Sequence, residues 1–292
     1  MKPTVRSSIR VITLILLTLF LAGPAAAEYA DYKGNKVYYQ VMGQGEPALV
    51  LIHGWCGDHT LWRFNTPELA KKYKLVLVDM PGHGLSDKPK VDYSFDFLAG
   101  GVAAAIKASG VKNPVLVGHS LGATIGRQVI QSNPGMASSL ILVDGAFVSL
   151  PQDPKARAVW EKQSAARLAG FKKDFRAALK PFVESMLGPA ITLQLKKIIL
   201  DKMLAADPYV AISESQTMSD PDNWRLAAIE TPTLAMYVES QFSPPDFSEH
   251  LKKLFPNLAC KKWQGVGHFF FMEKPDKFSR QVIEFLKSSR GA

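Results

Sequence analysis

Two cysteines in 292 residues leave no room for a disulfide framework. Cys56 follows one strand-like run, and Cys260 stands near the start of another whose far end leads, eight residues on, to His268. Eight extended residues span about 26 Å, which sets the two thiols at opposite edges of a parallel sheet and leaves them unpaired. No turn of the kind that presents a nucleophile surrounds Cys56, and it reads as a small buried hydrophobe. Metal and phosphate signatures are missing too: the chain has no His-Glu-x-x-His, no Cys-x-x-Cys and no Gly-x-x-x-x-Gly-Lys. Chemistry without a metal or a cofactor is the economical expectation. Basic residues outnumber acidic ones but do not cluster. Their densest stretch, Lys172-Lys173-Asp174-Phe175-Arg176, has helical spacing and reads as a solvated helix face, not a nucleic-acid or membrane footprint.

The N-terminus reads as a targeting segment. Lys2, Arg6 and Arg10 accompany an apolar stretch at 11–22, and Ala25-Ala26-Ala27 offers the small residues that signal peptidase requires. The apolar stretch falls short of the roughly 20 residues that span a bilayer. The expectation is a signal peptide at 1–27, cleaved after Ala27, and a protein exported to the periplasm or beyond with no stable membrane insertion. Losing those three basic residues lowers the formal net charge from +9 to +6.

What is present suits a full-sized enzyme. With 47% hydrophobic and 21% charged residues, the chain can bury one large core. Strand-like runs stand at 36–42, 48–52, 75–79, 115–119, 140–144, 233–238 and 258–263, most of them continuous aliphatic stretches of the sort that are buried on both faces. Helix-like segments at 61–72, 95–109, 123–133 and 277–287 separate them. Such alternation predicts a mostly parallel sheet flanked by helices. Between 144 and 233 no strand is evident, and helix formers dominate at 156–168, 171–187 and 191–205. An insert of that length predicts a helical cap at 147–228 over a core made of 28–146 and 229–292. Because sites in such sheets open at the carboxyl ends of strands, where the insert must leave and return, the cap is expected to act as a lid.

Gly118-His119-Ser120-Leu121-Gly122 follows the run Val115-Leu116-Val117 and precedes a helix-like segment. Gly-x-Ser-x-Gly in that context is a nucleophile elbow, a turn so tight that its flanks must be glycine and the serine oxygen projects from the sheet. With it go His53-Gly54-Trp55 after a strand, Asp79-Met80-Pro81-Gly82-His83-Gly84-Leu85-Ser86-Asp87, and Gly265-Val266-Gly267-His268-Phe269. In these motifs the chain, over roughly 38–286, resembles the cap-bearing serine hydrolases of the α/β-hydrolase fold, a group that includes esterases, lactonases and carbon-carbon bond hydrolases.

The resemblance implies an eight-stranded sheet and a set of roles. Ser120 is the expected nucleophile and His268 the base, since a serine hydroxyl needs an adjacent base to take its proton. Leu121 and Trp55 are the expected backbone donors of the oxyanion hole. His53 shapes its loop and His119 packs; His59, His83 and His250 are ordinary structural histidines. The acid departs from the family pattern, because Gln241 stands where aspartate is usual and an amide cannot stabilise an imidazolium as a carboxylate does. Asp144, Glu239 and Asp246 compete for the role, with Asp144 leading because it ends the strand after the elbow helix.

Three functions follow. The first is hydrolysis of an ester, thioester or lactone through an acyl-enzyme, with Trp160, Phe171, Phe175, Met186 and Phe269-Phe270-Phe271 suggesting a small or medium apolar acyl group. The same aromatics also suit plain core packing. The second is carbon-carbon bond cleavage by the same residues. The third is a ligand-binding or signalling protein with a slow hydrolase core. Haloalkane and epoxide hydrolysis are disfavoured, because relatives with those activities carry aspartate at the position of Ser120. The partner in the enzymatic readings is a small-molecule substrate.

Overall fold

Short aliphatic runs such as LVLI and LVLV have no polar face to show to water, so they are stable as strands only where both faces are covered. In the computed structural model, which describes residues 26–148, 150–151, 153–238 and 247–288, they form the middle of one eight-stranded sheet. The strands are β1 (Ala26–Tyr32), β2 (Asn35–Met42), β3 (Leu49–Ile52), β4 (Leu75–Val78), β5 (Val115–His119), β6 (Ser139–Val143), β7 (Thr233–Val238) and β8 (Leu258–Trp263). Their spatial order is β1-β2-β4-β3-β5-β6-β7-β8. The pairs β1/β2 and β2/β4 are antiparallel, and every pairing from β4 to β8 is parallel. Every residue of β3, β4, β5 and β6 is buried.

The order fixes where a ligand can enter. From β3 the chain crosses to β4 on one side, then returns through a helix to β5 on the other, so the carboxyl ends of β3 and β5 diverge at a topological switch point. Ile52 is in register with Gly118, and His119 with Val143. The loops that begin at His53, Ser120 and Asp144 therefore emerge side by side.

The helices are α1 (Thr66–Leu69), α2 (Phe95–Ala108), α3 (Leu121–Ser132), α4 (Pro154–Lys173), α5 (Phe175–Ser185), α6 (Leu193–Leu204), α7 (Pro208–Ser219), α8 (Phe247–Leu254), α9 (Phe270–Glu273) and α10 (Pro275–Ser288). Helices α2 and α3 pack on each other, with α2 on β1 and β2 and α3 on β3, β5 and β6. Helices α4 to α7 occupy the insert between β6 and β7. Each starts at a side chain that satisfies a free backbone N–H: Asp153, Asp174, Thr192 and Asp207 accept from Ala156, Ala177, Leu195 and Tyr209.

The structure differs from the sequence reading in its first strand and in several helices. Strand β1 was not expected: among its described side chains only Ala30 is fully buried, so it lacks the aliphatic signature. It turns into β2 at Lys33-Gly34, where φ is 54° and 76°, the left-handed pair a two-residue hairpin needs. The signal-peptide boundary meets this strand, since Ala26 and Ala27 pair with Val41 and Gln40, while residues 1–25 lie outside those described. The helix expected at 61–72 is divided into a 3-10 turn at His59–Trp62 and the short α1, with Asn65 and Pro67 at the break. Helices α7 and α8 had not been separated from their loops. Cys56 and Cys260 are both free, the first buried and the second exposed.

Candidate active site

The loop after β5 can turn as sharply as it does because two glycines let backbone meet backbone. A methyl on Gly118 would fall on the Gly122 carbonyl, and one on Gly122 would fall on the carbonyl oxygens of Ile52 and His53. Ser120 between them has φ 52° and ψ −120°, and α3 begins at the next residue. A non-glycine residue in such a region costs about 1–3 kcal/mol and persists only when its surroundings impose it. Five described non-glycine residues have positive φ, and three of them, Cys56, Ser120 and Asp144, stand at the loops that follow β3, β5 and β6. Ser120 is held on both sides: its N–H donates to the Val143 carbonyl at 3.0 Å, and its own carbonyl accepts from Ala123 at 3.0 Å and from Ala146 at 3.1 Å.

His268 is brought to the same place from the far end of the chain. Its Nδ1 lies 2.6 Å from Asp144 Oδ2, with both side chains about one-fifth exposed. The other carboxylate oxygen accepts from the Val238 N–H at 2.9 Å, and the Asp144 N–H donates to Met236 at 2.8 Å. Thus β7 orients a carboxylate that belongs to β6. Because a carboxylate can only accept, Nδ1 carries the proton, which leaves Nε2 as the basic nitrogen. Glu239, Gln241 and Asp246 lie outside the described residues.

His119 is a fully buried neighbour of that base. Its Nε2 meets the His268 carbonyl at 3.1 Å, so Nε2 donates and Nδ1 is bare. The ring packs 4.6 Å from His268, 4.7 Å from Phe271 and 5.2 Å from Phe269. Burial, aided by the nearby His268, pushes its basicity well below the ordinary imidazole range. Phe270 instead faces Trp263, with ring centroids 4.4 Å apart, and belongs to the core.

The two expected oxyanion donors open onto the same loops. Leu121 begins α3, where the first N–H groups have no helical acceptor. Among the described residues, neither that N–H nor the one of Trp55 meets an acceptor. Gly54 lets the β3 loop approach, since a methyl there would lie 2.9 Å from His119 Nδ1 and 3.0 Å from Ser120 Cβ. His53 fixes the loop from beneath: its Nε2 accepts from the Met80 N–H at 3.1 Å, and its Nδ1 meets the Gly54 carbonyl at 2.8 Å. Burial first, then the neighbouring His83, lowers its pKa to about 4.

Several contributors carry no motif. The Trp55 indole donates to Ala211 of α7 at 3.0 Å and packs on Phe171, Phe175 and Phe182 of the cap. His83 Nε2 lies 3.3 Å from Glu214 of α7, both side chains fully buried, and Lys202 of α6 pairs with Asp58 at 2.5 Å. Phe171 and Phe175, anticipated as cap aromatics, do join this cluster. Trp160 stacks with Arg157, 5.8 Å from its ring centroid. A cavity of about 420 Å³ lies between the 56–60 loop and α6 and α7, and its walls include none of Ser120, Asp144 and His268.

Asp58, His59 and Asp79 bring three potential metal-ligating atoms within 4.8 Å of one another. Their chemistry fits loop locking better than a cation. Asp79 accepts from the N–H groups of His59 and Leu85, Asp58 accepts from Thr60, and the Lys202 ammonium already neutralises Asp58.

A sequence model of the family described as alpha/beta hydrolase fold matches residues 47–198, just over half of the chain. An AB hydrolase superfamily protein of Bacillus subtilis is 27% identical over 257 residues, covering 86% of this chain and 96% of that one. A pimeloyl-acyl-carrier-protein methyl ester esterase of Yersinia pseudotuberculosis is 25% identical over 267 residues, 88% of this chain and 99% of that one. The solved esterase of Exiguobacterium antarcticum superimposes with a TM-score of 0.81 at 22% identity, over 90% of this chain and all of the other.

Two outcomes follow from this geometry. Gly122→Ala should cost about 1–3 kcal/mol, the usual range for overpacking, read as a lowered urea midpoint, because the added methyl can be accommodated only by moving β3 or α3. His53 should titrate near pH 4 by NMR. The unfolded chain takes up that proton near 6.5, so this group's contribution to stability is full above that value and is lost as pH falls towards 4. A His53 ring that titrates near 6.5 contradicts the assignment.

Proposed function

The chain belongs to the α/β-hydrolase fold family, and from that premise we propose that it is an exported serine hydrolase that cleaves a small or medium apolar ester, thioester or lactone through an acyl-enzyme. The observation that carries the reading is the 2.6 Å contact between His268 Nδ1 and Asp144 beside a strained Ser120. It supports Asp144 as the acid in place of the usual residue after β7.

In this mechanism Nε2 of His268 takes the Ser120 proton as Oγ attacks the carbonyl carbon. The imidazolium so formed is stabilised by Asp144, which keeps its own negative charge. The carbonyl oxygen becomes an oxyanion and meets the N–H groups of Leu121 and Trp55, already oriented by α3 and by the His53 loop. The tetrahedral carbon then expels the leaving oxygen or sulfur, which departs with the proton from His268. Water enters, gives a proton to Nε2, adds to the acyl carbon, and releases the carboxylic acid with Ser120 restored. No step requires a metal or a cofactor. Hydrolysis of a methyl ester by the Yersinia relative is in keeping with this class of substrate. The aromatic cluster that Trp55 forms with Phe171, Phe175 and Phe182, next to the loop expected to supply an oxyanion donor, favours an apolar acyl group.

Ser120→Ala should abolish hydrolysis of activated esters and labelling by a fluorophosphonate, with the thermal midpoint nearly unchanged. Turnover by that variant at the wild-type rate would refute the serine mechanism. Asp144→Asn should lower kcat about 10³- to 10⁴-fold, because the amide supplies no charge and can favour the wrong tautomer, whereas Glu239→Gln should be mild. The reverse ranking would move the acid to the segment after β7. Export predicts that the mature protein, isolated from a host with a signal peptidase, begins at Glu28 by N-terminal mass; a chain that begins at Met1 contradicts it.

A further inference from the structure

The cap meets the catalytic loops through backbone as well as side chains. Where α5 ends, the Met186 carbonyl accepts the N–H of His268 itself at 2.8 Å. Two glycines face each other there. A methyl on Gly188 would lie 2.5 Å from the Gly267 nitrogen and 2.6 Å from Glu273 Oε2, and one on Gly267 would lie 2.5 Å from the Leu187 carbonyl carbon and 2.6 Å from the Met186 oxygen. Glu273 Oε1 accepts the Gly267 N–H at 2.8 Å, which fixes the residue before the base from the other side. On the opposite flank, Trp55 is bound to α7 through its indole and to α4 and α5 through three phenyl rings. A lid that only covered the site would need none of these contacts with the two loops that carry the base and the oxyanion donor.

We propose that the cap is a positioning element for the reaction. Its 186–188 segment holds the His268 loop and its α7 carbonyl at Ala211 holds the Trp55 loop, so Gly188 and the Trp55 indole are positioning residues at the cap's contacts, and Glu273 of α9 is a positioning residue that holds Gly267 from the core side. The inference rests on the serine-hydrolase reading and assigns a role to its cap. It predicts that the cap stays seated on both loops through turnover, and that loosening either contact weakens chemistry more than substrate binding. Misplacing a reacting group by about 1 Å can cost on the order of 100-fold.

The test uses the full chain and four variants: Gly188→Ala, Glu273→Ala, Glu273→Gln and Trp55→Phe. Gly188→Ala and Glu273→Ala should each lower kcat roughly 10- to 100-fold with KM within about twofold, the mark of an interaction that matters to the transition state. Glu273→Gln keeps an acceptor for the Gly267 N–H and should recover most of the loss. Trp55→Phe keeps the ring packing, loses the bond to Ala211, and should show the same split between kcat and KM. A second readout does not depend on turnover: the low-field proton resonance of His268 Nδ1–H, bonded to Asp144, should shift or broaden in Gly188→Ala and Glu273→Ala and remain in Trp55→Phe. A raised KM with unchanged kcat would make the cap a substrate cover and overturn the proposal. So would folded variants with wild-type kcat and resonance. If Gly188→Ala does not fold, Trp55→Phe, which removes the bond to Ala211 of the cap, decides the matter by the same criteria. If the wild type shows the low-field resonance but neither hydrolyses esters nor takes up a fluorophosphonate, the hydrolase reading fails, while the resonance still reports whether the cap holds the base.

Discussion

One imidazole, that of His268, sets the conditions that the rest of the structure meets. In the proposed reaction it is a base that takes a proton from one side and gives it up on the same side, which needs a fixed ring, a fixed tautomer and a nearby negative charge. Asp144 supplies the charge and the tautomer through a single short contact with Nδ1. A hydrogen bond to a charged group contributes about 1.5–3 kcal/mol, enough to hold a ring but not to hold a loop. The loop is held by its backbone: the N–H of His268 goes to Met186 in the cap and its carbonyl goes to His119 in the elbow. The base thus has one anchor on β6, one on the cap and one on the residue that precedes the nucleophile.

Those anchors are possible because the sheet delivers four loops to one edge. The switch point between β3 and β5 separates their crossovers, and the registers Ile52 with Gly118 and His119 with Val143 bring His53, Ser120 and Asp144 out level with one another. Space at that edge is so short that glycine is required at Gly118, Gly122, Gly188 and Gly267, in each case because a Cβ would meet backbone. The same crowding buries His53 and His119. Burial lowers the pKa of both, to about 4 for His53 and well below the ordinary imidazole range for His119. His83 is buried as deeply but faces Glu214, and that carboxylate overcomes the burial and raises its pKa. Three histidines of similar burial thus shift in opposite directions: burial lowers the pKa of His53 and His119, while Glu214 raises that of His83.

Much of this was legible in the sequence, and the parts that were not have physical reasons. The aliphatic runs at 49–52, 75–78, 115–119 and 139–143 announce buried parallel strands, and the elbow and the Gly-flanked His268 stand in motifs whose chemistry is local. Strand β1 was hidden because an edge strand buries little and carries no aliphatic run. The acid was ambiguous because a carboxylate's partner is set by strand register: Asp144 meets His268 only because β6 lies beside β7 and the loop after β8 folds back. Glu273, Gly188, Glu214 and Lys202 had no signal at all. Each matters through a partner far away in sequence, and the residue types are those of any helix or loop.

The position of the acid also explains how a cap can be so closely joined to the chemistry. Asp144 follows β6 directly, and the insert departs a few residues later, at 147. The link between them is tied to the elbow: the Ala146 N–H donates to the Ser120 carbonyl, and its own carbonyl accepts from the Thr124 hydroxyl of α3. A carboxylate on the loop after β7 would leave the Ala146 tie to Ser120 as the link between the start of the cap and the elbow. With the acid on β6, any movement of the first cap residues pulls on the segment that orients His268 and on the backbone of Ser120. The chain returns to the same base at Met186, on the far side of α5. A cap whose stem and whose middle both bear on these loops is tied at two points to the groups assigned to the proposed reaction.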